Sequence, residues 1–286
     1  METAVVKKSE TSPLQFMQRD DVKQRFIEIL GKRGNAFTSS VLTLISQNEK
    51  LKKCKPESVY MCALMAATLD LPVNASLGMA YIIPYGDVAT FQIGYMGIIQ
   101  LAQRTGLYKT ISSCSVYEGQ LVSENPLTGW VFDFKVKPAA DAKPIGYAAY
   151  FSLINGFEKT DFWTLEKVMA HGKKFSKAFN SGPWKTDFEA MAQKTVLKLL
   201  IAKYGPKSVE IQNALIADQG EIKDVETLDV SYPDEGKVRV TQEELQELYK
   251  MKEEFVNPEK KEELKRIIDN NEVAHFNEVK DILVNL

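Results

Sequence analysis

The spacing of hydrophobic positions changes along the chain, and each change predicts a different element. Between Asp20 and Leu30, Val22, Phe26, Ile29 and Leu30 recur at intervals of three and four, one face of a short helix. Gly31 and Gly34 end it, and further helices are predicted over 38–47 and 56–69. Pro56 suits a first helical turn, where its missing N–H would have no partner anyway. The period then drops to two. Residues 80–84 and 88–93, rich in Ile, Tyr, Phe and Thr, flank Tyr85-Gly86-Asp87 and predict a β-hairpin. A helix runs from Gly94 and Gly97 to about Arg104, with Gly106 as its C-cap. Candidate strands follow over 110–117, 130–136 and 145–153, the last with little polar interruption, as in a covered strand. Helices return over 165–171 and 187–204. The fold class is α+β: a small, mostly antiparallel sheet with a β-hairpin, packed by helices.

Residues 1–14 read as a flexible arm and 15–220 as the core. An acidic stretch from Asp218 to Gly236 marks a boundary, with the linker placed over 221–240. A helical module is expected over 241–286. There Thr241 and Glu244 form a capping box, and Leu245, Leu248, Tyr249 and Phe255 give an apolar face. So small a bundle would be marginal as an enzyme and suits a docking role.

Composition is ordinary for a globular protein, with 44% hydrophobic and 26% charged residues in 286. The net charge of −2 argues against a polyanion partner only until it is split. Residues 1–207 carry a net +8 and residues 208–286 a net −10, a basic body with an acidic tail. Three cysteines without CxxC spacing predict neither a disulfide framework nor a zinc ribbon. The longest apolar stretch, Tyr60 to Leu71, is too short to cross a bilayer, and the N-terminus lacks a signal-like apolar region. A reducing, cytoplasmic setting without membrane contact is expected.

No P-loop, HExxH, EF-hand loop, GxSxG elbow or Gly-rich nucleotide turn stands in the right context. The core carboxylates show no tight motif spacing, so neither a catalytic nor a metal site is expected. Between Lys159 and Lys207, however, ten lysines face four acidic residues, with Trp163, Phe175, Phe179, Trp184 and Phe188 among them. Lysines neutralise phosphates, and aromatic rings stack on exposed bases. Lys194 and Lys198 share a helical face as candidate phosphate ligands, and Lys203 falls on the opposite side. The alternative is that these lysines only solvate the surface. Trp184 is either a stacking platform or packing behind Gly182-Pro183. Arg104 and Lys109 form another basic spot. The hairpin tip either packs or inserts between bases.

The hairpin carries a recognisable pattern: Leu77-Gly78-Met79-Ala80-Tyr81-Ile82-Ile83-Pro84-Tyr85-Gly86, then Gln92-Ile93-Gly94-Tyr95-Met96-Gly97-Ile98-Ile99 and Leu101-Ala102. A second runs from Gly182-Pro183-Trp184 through Phe188, Met191, Lys194-Thr195, Lys198 and Lys203 to Pro206. Together these resemble the RecT family of phage and prophage single-strand annealing recombinases, of the Gram-positive phage type, over roughly residues 15–220.

The resemblance implies a non-enzymatic protein that binds single-stranded DNA, assembles into rings or helical filaments, and anneals complementary strands through a duplex intermediate. It implies no ATP and no cofactor, with Mg2+ at most modulatory. A phage exonuclease and the host single-strand-binding protein are the expected partners, beside self-association. The DNA-binding set is Lys194 and Lys198, with Lys173, Lys174, Lys177, Lys185, Arg104, Lys109, Tyr95 and Trp184. Ala192 and Gln193 stand where the family often has a basic residue. Phe26, Ile29 and Leu30 are candidates for subunit packing, or else pack on their own core. The alternative function is a metal-dependent DNA-processing enzyme.

Overall fold

The structure, a computed structural model, describes residues 11–125, 128–176 and 179–232. The helical module read over 241–286 lies outside the described residues. Described structure begins within the stretch read as an arm: Ser12 caps α1 (Pro13–Met17) by accepting from Gln15 N–H, while the Gln15 side chain reaches back. Helices α2 (Asp20–Leu30) and α3 (Gly34–Gln47) pack together, and α1 and α2 pack against α4 (Pro56–Thr68), which is buried along most of its length.

Strands β1 (Ala80–Tyr85) and β2 (Val88–Ile93) form the predicted hairpin, pairing Ala80 with Ile93 and Tyr85 with Val88. Helix α5 (Tyr95–Arg104) follows at once and lies directly on the chain before β1. A Cβ on Gly97 would stand 2.1 Å from the Met79 carbonyl oxygen, so only glycine permits that approach.

Strands β3 (Tyr108–Val116), β6 (Gly146–Leu153) and β7 (Glu158–Thr164) make an antiparallel sheet with β6 in the centre. The central place explains why β6 reads as almost wholly apolar. Between them β4 (Leu121–Asn125) and β5 (Gly129–Phe132) form a separate small ladder. The strand expected over 130–136 therefore stops at Phe132, and β4 and β7, with their many polar residues, were not expected. Beyond the sheet come α6 (Leu165–Phe175), the single turn α7 (Pro183–Thr186), α8 (Phe188–Tyr204) and α9 (Val209–Ala217). Helix α8 lies across β3, β6 and β7, burying Ala192, Val196, Leu197, Leu200 and Ile201.

The segment read as an acidic linker opens as a hairpin, β8 (Glu221–Asp224) and β9 (Asp229–Ser231). Ile222 and Val225 are buried, and β8 packs on α4 and β2. Glu226 and Asp229 are exposed while Glu221 and Asp224 are partly buried, and charge alone, blind to the buried Ile222 and Val225, suggested a linker. All observed strand pairs are antiparallel, in keeping with the α+β expectation.

Candidate nucleic-acid interface

The two sequence motifs, about a hundred residues apart, meet at one cleft of about 250 Å3. The hairpin supplies Ile83, Pro84, Tyr85, Thr90 and Gln92. Helix α6 supplies His171 and Phe175, α7 supplies Trp184, and α8 supplies Met191, Lys194, Thr195 and Lys198. Gln219 closes the rim. Local chemistry holds the two helices in place. Thr164 caps α6 by accepting from Lys167 N–H, and Asp187 caps α8 by accepting from Ala190 N–H. With its sheet-facing stripe buried, α8 turns the flank bearing Lys194 and Lys198 to the cleft, while Lys203 is exposed elsewhere.

The two lysines differ. Lys198 Nζ lies 2.6 Å from Asp218 Oδ2, and the other carboxylate oxygen accepts from the Ile93 backbone N–H at 3.0 Å. Lys194 is only 8% exposed and makes no side-chain hydrogen bond among the described residues. Burial pushes its ammonium down to about 8; Asp218 pulls the other way, and the Lys198 charge adds to the depression. The Lys194 side chain is largely buried while its ammonium opens into the cleft without a hydrogen bond, an arrangement that an incoming anion completes. His171, set between Trp163 and Phe175, also lies below its usual value through burial first, then Lys198 and Lys174.

Other residues from the sequence reading are placed elsewhere. Lys173, Lys174 and Lys185 are exposed on α6 and α7 without lining the cleft, and Lys177 lies outside the described residues. Lys109 is exposed at a register irregularity of β3. Arg104 is not a free cation: it donates to the Leu69 and Asp70 carbonyls at 2.6 and 2.7 Å, capping the end of α4, and faces the Asp70 carboxylate. Tyr95 Oη is 3.0 Å from Ser113 Oγ, in a polar network that continues to Gln193 and Glu189. Trp184 is buried between Phe179 and Phe188, so packing rather than stacking describes it here. A Cβ on Gly172 would come within 2.7 Å of Phe179 and 3.1 Å of Trp184, so this wall of the cleft is built around glycine.

Phe26 is fully buried against Phe37 and Tyr60, so it belongs to its own core and is not available for subunit packing. Ile29 and Leu30 are half-buried beside it. Asp218 and Gln219 are the residues that sequence reasoning missed, because Asp218 was counted with the acidic boundary. The one local signal was an Asp just beyond an apolar helix and two residues before Gly220. Among the described residues no group of three or more His, Cys, Asp or Glu is arranged for a metal ion. No helix among them is long and apolar enough to cross a membrane.

Both motifs that line the cleft fall inside one family match, since the RecT family profile covers residues 35–230. The chain belongs to the RecT family. It is 50% identical over 204 residues to the uncharacterized protein YqaK of Bacillus subtilis (strain 168), covering 71% of this chain and 70% of that one. It is 28% identical over 246 residues to Protein RecT of Escherichia coli (strain K12), covering 80% and 87%. RecT-family membership supports single-strand annealing in DNA recombination as the broad function. In this RecT-family chain the match extends through β8 and most of β9, so the hairpin carrying Ile222 lies within the family region.

Proposed function

We propose that this chain is an ATP-independent annealing protein that holds single-stranded DNA by its phosphates at the Lys194–Lys198 cleft and pairs it with a complementary strand. The observation that carries the reading is Lys194, a largely buried side chain whose ammonium makes no hydrogen bond among the described residues and opens into the cleft. A phosphodiester oxygen supplies the missing acceptor and counter-charge. Lysine reads charge and not base identity, so the grip suits any sequence and leaves base edges free to pair. Each subunit's grip is weak alone. Self-association along a strand multiplies it. Residues 241–286, outside the described structure, are assigned to docking an exonuclease and the host single-strand-binding protein.

The test mixes complementary labelled strands with the protein and no ATP, and measures binding across a salt series. Full-length duplex is expected, and Lys194→Gln with Lys198→Gln should weaken binding and flatten the salt dependence. Shortened products with Mg2+ would favour a DNA-processing enzyme instead. An unaltered salt slope in the double variant would place the DNA elsewhere. Removal of everything after Tyr232 should preserve annealing and abolish partner capture. That boundary keeps the bond from Tyr232 Oη to the Ile216 carbonyl, which ties the chain end to α9.

A further inference from the structure

We infer that Asp218 sets the strength of the grip: it is a positioning residue that holds Lys198 and limits the cleft to one net positive charge, matched to a single internal phosphodiester. The inference rests on the reading that DNA occupies this cleft.

Asp218 is fixed in place and cannot swing aside. Its carboxylate is 3% exposed and accepts from Lys198 on one oxygen and from Ile93 N–H on the other. Immediately after it, the backbone is joined to β2: Gln219 N–H donates to Phe91 O at 2.7 Å, and Phe91 N–H donates to Gly220 O at 3.2 Å. Gln219 takes a left-handed φ of 67° to make this possible, a conformation non-glycine residues adopt at some cost. The carboxylate is thus built into the junction between the hairpin and α8.

The charge balance follows. The charged residues lining the cleft are Lys194 and Lys198, and Asp218 offsets one of them. His171 is neutral above its lowered value, and Lys174 stands outside the lining. One positive charge remains, equal and opposite to one phosphodiester. A strand released slowly re-tests its pairing slowly, and every extra held charge slows release. A site with two free ammoniums would hold more tightly and release more slowly.

Asp218→Asn tests this, since the amide oxygen can still accept from Ile93 while the charge is lost. Gln219→Lys is the second variant: at an exposed rim position it adds the same charge without touching the buried pair. The probe is oligothymidylate for binding and a complementary pair of mixed sequence for annealing, with thermal unfolding as the check on folding. Both variants should bind several-fold more tightly at low salt, with a slope steeper by roughly 0.7 per engaged subunit. Both should anneal several-fold more slowly. Tighter binding with slower annealing is an outcome that mere loss of structure would not produce. If folded Asp218→Asn binds more weakly, or Gln219→Lys leaves slope and rate unchanged, the inference fails. If Lys194→Gln is also without effect, the DNA does not occupy the cleft and the functional reading fails with it.

Discussion

Lys194 and Lys198 stand one helical turn apart on α8, yet Asp218 bonds Lys198 alone. The two lysines therefore differ: one ammonium is paired and held, and the other makes no hydrogen bond among the described residues. Because Lys194 lies near 8 in the free protein, its protonation has two opposite consequences.

An anion on Lys194 restores its charge, so DNA binding takes up a proton once the pH exceeds about 8. Affinity for oligothymidylate should fall as pH rises from there toward the ordinary lysine range, by up to about tenfold per pH unit. The DNA-free protein should behave the other way. Its folded-state value is depressed, so the unfolded chain holds a proton that the folded chain has lost, and stability rises across the same window. Parallel binding and denaturant titrations between pH 7 and pH 10 measure both. Lys194→Met should remove both trends and stabilise the DNA-free protein by roughly 1–2 kcal/mol.

Arg104→Gln should act on stability and leave the DNA salt slope alone. Its guanidinium bonds the Leu69 and Asp70 carbonyls, which end α4. Loss of such charged hydrogen bonds costs about 1.5–3 kcal/mol. A shallower salt slope in the folded variant would return Arg104 to the DNA surface.

Gly172→Ala should disturb the cleft wall from inside. The new methyl would stand 2.7 Å from the Phe179 ring, closer than real side chains come, and a tight 3.1 Å from Trp184, and overpacking of this kind costs about 1–3 kcal/mol. Phe179 must move to relieve it, and Trp184, which packs on that ring, shifts with it. A change in tryptophan fluorescence together with weaker oligothymidylate binding is the expected result, and unchanged spectra would mean that the wall yields elsewhere.

How much of this was legible in the sequence depended on whether a residue's partners were local. The hairpin showed itself through runs rich in Ile, Tyr, Phe and Thr about Tyr85-Gly86-Asp87, and α8 through apolar residues among good helix formers, because turn chemistry and propensity are local. Lys194 and Lys198 shared a face by spacing alone, and both line the cleft. Arg104 misled because charge does not reveal that its donors are consumed by carbonyls at the end of another helix. Phe26 misled because an apolar face is the same whether it meets its own core or another subunit. Asp218 was hidden because its partners, Ile93 and Lys198, come from separate elements brought together only by folding. Strand β7 was missed because Glu158, Lys159 and Asp161 interrupt the alternation that would mark it.

The stitching of 218–220 onto β2 also bears on how copies can meet. Along its outer edge the N–H groups of Ala89, Phe91 and Ile93 are taken by Ser58 Oγ, the Gly220 carbonyl and the Asp218 carboxylate. That edge has no donors left at these positions for a strand from a neighbour, and on the opposite strand Pro84 has none to give. At these positions the hairpin is therefore kept from zipping edge to edge with a second copy into an endless sheet.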